Sequence, residues 1–297
     1  MMGKLSFFSR VAVILFALLS AGGAAASDPR GDPGKAVRIA EFANSPAAQF
    51  LLVALDNAFS RLSGTLPSWE TLPSETLDDM EEIRRASVAG AFDVIFTSDS
   101  ETVRDLFDQG LLRSFFPAFS EEIVLVGPAI PGDFAEGGAK GVMERIFRES
   151  MPFFSLMAND WSLKAEHGLW QSAGIENPGI NRNYVQSSRD DVTAMFQAGD
   201  EGAFLLVGES SYASYREAQR SSPALEKIAG TGMYRKVYVC LAKDSGFRKE
   251  RAILASELAE WLQSDEAGKT IGSFDMAGTA PFRRHPLLGA DNSGRAP

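Results

Sequence analysis

The turns Asn44-Ser45-Pro46 and Thr97-Ser98-Asp99-Ser100 carry the residue types best suited to holding a small molecule without reacting with it. Each follows a short apolar run and precedes a segment of helical spacing. A helix start exposes unpaired backbone N–H groups beside such side chains. In open α/β sheets, ligands sit in the crevice at the carboxyl ends of the strands, where these turns fall. Asn44, Ser45, Thr97 and Ser98 are therefore candidate ligand contacts, although helix capping alone would account for the same residues.

Reactive chemistry has little support. Gly208-Glu209-Ser210-Ser211-Tyr212 begins like a nucleophile elbow but lacks the closing glycine. Gly230-Thr231-Gly232 lacks the third glycine of a dinucleotide turn. The two histidines, His167 and His285, fall in a helical segment and in the tail, so neither is placed as a general base. Cys240, the one cysteine, lies in the apolar run Val237–Leu241 and reads as a buried structural thiol. With no Cys/His cluster a structural zinc site is excluded, and neither an enzyme nor a cofactor is expected.

The elements that position the turns alternate in type. Phe92 to Phe96, interrupted only by Asp93, is too short for a helix and rich in β-branched and aromatic residues, so it predicts a buried strand. Val103, Leu106, Phe107 and Leu111 then give a helix over 101–112. The first strand is expected at 36–40. After it Ser45 and Pro46 open a helix whose apolar face is Phe50, Leu51, Val53, Leu55 and Phe59. A strand over 66–72 broken by Pro67, an acidic helix from Ser74 to Arg85 and a strand over 122–128 follow. The glycine-rich stretch 131–141 marks a boundary, beyond which helices at 142–149, 161–173, 190–198 and 209–220 alternate with strands at 152–157, 183–186 and 203–207. A strand over 234–241 returns to the first half, and helices over 249–264 and 265–274 close the chain. Such alternation predicts α/β sheets with right-handed crossovers.

The first 26 residues stand outside that pattern. Lys4 and Arg10 precede the apolar run Val11–Leu19, and Ala24-Ala25-Ala26 supplies small residues for cleavage, the pattern of a secretory signal. The run is shorter than the roughly 20 residues that span a bilayer, so export to the periplasm with cleavage near Ala26 is expected. Without these residues, 27 basic side chains stand against 39 acidic ones. An acidic surface of that size excludes nucleic acid as a partner, because a phosphate backbone demands Lys and Arg.

The order of segments resembles the periplasmic solute-binding proteins of ABC-type uptake systems, and within them the tungstate-binding branch. Phe42-Ala43-Asn44-Ser45, with Leu51-Leu52-Val53-Ala54-Leu55 and Ala58-Phe59, stands where that branch has a Thr-Thr-Thr-Ser turn and a helix. Asp93-Val94-Ile95 stands in its third strand. Glu121 to Pro128 is similar to its hinge strand, and Phe153-Phe154-Ser155 with His167 to Ile175 is similar to a strand, turn and helix of its second lobe. Glu260 to Phe274 is similar to its closing helices.

The resemblance implies a two-lobed α/β fold, each lobe a mixed sheet flanked by helices, joined by hinge strands. Its expected organisation is a signal peptide over 1–26, a loose tether over 27–35, lobe 1 over 36–127 plus 237–282, lobe 2 over 128–236 and a flexible tail over 283–297. It further implies a monomer that captures a tungstate- or molybdate-type oxyanion between its lobes for an ABC-type membrane permease. Ser155, Ser162 and Tyr184 match ligand-side positions of the branch. Its anion-binding arginine is Leu156 here, its Asp-Arg-Gly pattern is Gly208-Glu209-Ser210, and a glycine-rich turn is Ser187-Ser188-Arg189-Asp190. Arg189 is the base placed to substitute for the missing arginine. These departures keep open a neutral or zwitterionic solute. They also keep open a receptor that no longer transports and serves as a sensory or protein-interaction module, its cleft filled by Leu156, Met157 and Trp161.

Overall fold

The computed structural model describes residues 37–41, 46–63, 70–72, 80–130, 136–157, 160–243 and 249–285. In chain order the elements are β1 (Arg38–Glu41), α1 (Pro46–Ser63), β2 (Glu70–Leu72), α2 (Met80–Val88), β3 (Val94–Thr97), α3 (Ser100–Asp108), β4 (Leu112–Gly127), α4 (Gly138–Arg148) and β5 (Phe153–Leu156). They continue with α5 (Asp160–Ser172), β6 (Tyr184–Ser187), α6 (Asp191–Glu201), β7 (Phe204–Gly208), α7 (Glu209–Ala218), β8 (Glu226–Ala242), α8 (Lys249–Leu262), α9 (Asp265–Gly272) and β9 (Phe282–Arg284).

The nine strands among the described residues form one sheet in the order β2-β1-β3-β8-β4-β7-β5-β6, with β9 beside β4. β1 runs parallel to β2 and β3, and β5 runs parallel to β6 and β7. Between these two parallel groups lie β4 and β8, antiparallel to each other from Leu112 opposite Ala242 to Gly127 opposite Glu226. Strands of 16 and 17 residues span about 50 Å, so both run through the two lobes they join.

Alternation along each strand sorts the apolar side chains to the two faces of the sheet. In lobe 1, Val94 and Phe96 pack with Leu51, Leu55 and Phe59 of α1 and with Leu258 and Trp261 of α8, while Ile95 and Cys240 pack with Ile83, Val103 and Leu106. In lobe 2, Ile123, Leu125 and Phe153 pack with α4 and α5, while Val124, Phe154 and Leu205 pack with α6 and α7. The partners change inside the long strands: Ala118 and Phe119 belong to lobe 1 and Ile123 to lobe 2, while Val237 belongs to lobe 1 and Met233 to lobe 2. The junction is therefore Ser120-Glu121-Glu122 on β4 and Tyr234-Arg235-Lys236 on β8.

Three strands extend beyond the sequence expectation. β4 starts ten residues before 122, since Pro117 sits at a register shift between Pro117 and Phe119, where a missing N–H is tolerated. β8 starts eight residues before 234, through Gly230-Thr231-Gly232. A side chain on Gly230 would collide with the Glu122 carboxylate, so glycine marks a close approach there and not a turn. β9 carries ordered pairing past residue 282 into the expected tail. It is anchored by Phe282, buried edge-on against Phe119 at 5.3 Å. Residues 74–79 of the expected acidic helix lie outside the described residues, and the helix there is α2.

Candidate functional site

The parallel strands of both lobes end on the junction. β3 finishes at Thr97, opposite Tyr238, and β7 finishes at Gly208, opposite Ile123. The N-termini of α3, α5 and α7 start from these ends, and α1 starts just after β1. The result is a seam where helix starts from the two lobes meet, the place where backbone N–H groups are left for a ligand or for the other lobe.

Hydrogen bonds between described residues cross this seam. The Trp161 indole N–H, at the start of α5, donates to the Ser98 carbonyl at 3.1 Å. The Ala47 N–H, in the first turn of α1, donates to Ser214 Oγ of α7 at 3.2 Å, and that hydroxyl donates on to the Ser210 carbonyl at 3.0 Å. Ser214 is buried, so it caps a lobe 1 helix with a lobe 2 side chain.

The predicted residues occupy distinct positions around the seam. Asn44 and Ser45 lie outside the described residues. Thr97 is buried and its Oγ1 accepts the Asp99 N–H at 3.1 Å, while Asp99 caps α3 through Glu101 N–H at 2.9 Å. Ser98 offers its carbonyl to Trp161. Ser155, fully buried on β5, makes no hydrogen bond of regular geometry but lies beside Glu166 and Tyr184. Ser162 is buried in the first turn of α5, one turn before Glu166. Tyr184 stacks on Phe153 and donates its hydroxyl to Glu166 Oε1 at 2.7 Å. Arg189 is exposed in the turn before α6, its N–H directed to Ser187 Oγ at 3.3 Å. The fold thus gathers Ser155 and Tyr184 around Glu166 in lobe 2 and sets Thr97 and Ser98 across the seam, while Arg189 lies exposed two residues beyond the end of β6.

Glu166 was not among the predicted residues. Its carboxyl accepts Tyr184 O–H and Trp170 Nε1–H, the latter at 3.1 Å, and it is buried. Desolvation pushes its pKa up, and the hydrogen bonds from Tyr184 and Trp170, with the Ser155 hydroxyl nearby, offset only part of that. Burial, together with the neighbouring Glu166 carboxylate, pushes the Tyr184 hydroxyl up to about 12, so it remains a donor.

Sequence reading also passed over a charge cluster at the junction. Glu121 and Arg235 are cross-strand partners, and the Glu121 carboxylate takes both Arg235 Nε, at 2.8 Å, and the adjacent Arg235 guanidinium nitrogen. Its other oxygen accepts the Ser210 N–H in the first turn of α7 at 3.0 Å. Burial alone would lower the proton affinity of Arg235, and the adjacent Glu121 carboxylate more than reverses this. Around it, Glu209 pairs with Lys227 at 2.6 Å, and Glu122 accepts the Gly232 N–H at 3.0 Å and faces Arg283 at 3.5 Å. The available signal was two adjacent carboxylates directly before the apolar run Ile123–Val126.

This architecture is that of the two-lobed solute-binding proteins. No protein-family model matches the chain, and no curated protein matches it. Among solved structures, it is similar to a tungstate-binding protein from Desulfovibrio alaskensis G20, with a TM-score of 0.68 and 18% identity over 84% of this chain and 98% of that one. A tungstate ABC transporter protein from Geobacter sulfurreducens aligns with a TM-score of 0.63 and 17% identity over 82% of this chain and 100% of that one. The iron-bound protein HitA from Pseudomonas aeruginosa aligns with a TM-score of 0.57 and 13% identity over 85% and 89%. At these identities the likeness shows the fold, and the ligands of those proteins remain theirs.

Proposed function

We propose that this chain is an exported, monomeric solute-binding protein that captures a small ligand between its lobes and presents both lobes to an ABC-type membrane permease. One observation carries the reading: strand ends and helix starts from both lobes converge on a single buried polar seam at the junction of two hinge strands. Such a seam binds by hydroxyls and backbone N–H groups and does no chemistry. Support for the ligand class expected from the resemblance comes from the names of two structural neighbours, a tungstate-binding protein and a tungstate ABC transporter.

A second reading is favoured by the direct bridges Trp161–Ser98 and Ala47–Ser214, which use the chain's own groups where a solute would bind. Under it the protein is a sensory or protein-interaction module without transport.

Thermal melting of the chain from residue 27 onward separates the two. The panel is tungstate, molybdate, sulfate, phosphate, small organic acids, sugars and amines. A solute at about 100 times its dissociation constant stabilises by about 2.7 kcal/mol, a shift of several degrees. A shift with any member supports capture. A flat panel, with a signalling defect and normal uptake after gene deletion, overturns it in favour of the sensory module.

A further inference from the structure

The chemistry that holds a small anion is already assembled at the junction, and it is filled. A guanidinium offers two N–H groups to one carboxylate oxygen, and a helix first turn offers a third N–H to the other. Gly208 clears the approach, because a Cβ there would stand 2.7 Å from Glu121 Oε2 and 3.2 Å from the Arg235 guanidinium. Ser210, whose N–H holds the carboxylate, is fully buried, and its Oγ has no hydrogen-bond partner among the described residues. One turn further along α7, Ser214 accepts the Ala47 N–H of lobe 1, so this corner lies one helical turn from the contact between the lobes.

We propose that Glu121 is a built-in anion that occupies the anion-holding corner of the seam, so that the protein selects solutes without net negative charge. The proposal rests on the solute-capture reading and names, in place of the oxyanion expected from the resemblance, a neutral or cationic ligand class. A free oxyanion entering the corner meets a carboxylate fixed on the same guanidinium and the same helix end, and like charges at that range repel strongly where water is scarce. Removing this one carboxylate takes from Arg235 its hydrogen-bonded counter-ion, leaving it only the weaker field of Asp191, frees the Ser210 N–H, and makes the corner a receptor for an external anion. Asp93 supplies the control. Its Oδ2 accepts Arg251 Nε at 2.8 Å and the Arg38 N–H at 2.9 Å, the same donor chemistry, but at the start of β3 and away from the seam.

The test is melting of the wild type, Glu121→Ala and Asp93→Ala with molybdate, sulfate and formate against chloride at matched ionic strength. Glu121→Ala is expected to show a saturable rise of about 2–4 °C at roughly ten times its dissociation constant, with molybdate bound at least about a hundredfold tighter than by the wild type. Wild type and Asp93→Ala are expected to stay flat with molybdate and sulfate. An equal response in wild type, an equal response in Asp93→Ala, or none in Glu121→Ala overturns the proposal. If Glu121→Ala does not fold, Glu121→Gln decides. It keeps the shape and removes the charge paired with Arg235, so a rise with molybdate supports the proposal and a flat response ends it. A flat wild type across neutral and cationic solutes, with molybdate taken by the variant, would end solute capture while leaving the corner's role intact. A wild type that binds a neutral solute, with an unresponsive variant, would do the reverse.

Discussion

Two buried arginine–carboxylate pairs of nearly the same chemistry sit in different places in this molecule. Asp93–Arg251 ties β3 to α8 inside lobe 1, with the carboxylate also holding the Arg38 N–H of β1. Glu121–Arg235 lies where both hinge strands change lobes, against a helix start beside the seam. The donors are alike, so the difference between a fastening and a determinant of binding comes from position. A fastening is walled by one core; a determinant faces the space where two cores meet.

The largest expected effect falls on the fastening. Asp93→Ala leaves Arg251 buried without its counter-ion, which should cost about 3–5 kcal/mol in urea denaturation at neutral pH. A loss below 1 kcal/mol would show that water reaches Arg251 and that the two pairs differ in burial as well as place. Next comes Gly208→Ala, which pushes a methyl group against Glu121 and should cost about 1–3 kcal/mol while giving the seam a partial anion response. Stability lost with no anion response would mean that the displaced carboxylate still neutralises Arg235.

Ser214→Ala removes the hydroxyl that receives the Ala47 N–H across the seam, for an expected loss of about 1 kcal/mol. Small-angle scattering should show a larger radius for the variant, and an unchanged radius would place the hold between the lobes elsewhere. The smallest effect has a sign set by pH. Because burial raises the Glu166 pKa, the contribution of Glu166 to stability falls as pH rises from about 4.5 through the folded-state value, and the charged form is the costly one. Glu166→Gln keeps an acceptor for Tyr184 and Trp170 without the charge, so its stability relative to wild type should improve as pH rises across that window. A constant difference from pH 4 to 8 would mean that Glu166 is solvated.

The sequence made much of the fold legible, because short apolar runs ending in hydroxyls and followed by helical spacing are local signals. Phe92 to Phe96 gave β3, and Asp99 caps α3 within the predicted turn. Tyr184 illustrates what local reading misses: it was expected among the ligand contacts, and its hydroxyl donates to Glu166, a residue 18 positions earlier. The lengths of β4 and β8 were hidden for a related reason. Pro117 and Gly230 usually interrupt strands, and only the register shift and the pressing Glu122 carboxylate explain their presence in these.

By itself the sequence determined the class of fold, the acidic balance and the polar character of the turns at the strand ends, since periodicity, charge and capping act over a few residues. Only the tertiary structure decided what those turns meet. Glu121 and Arg235 are 114 residues apart, and Ala47 and Ser214 are 167 apart. Their pairing depends on two hinge strands aligning in register and two helix starts coming face to face, and no local pattern encodes either.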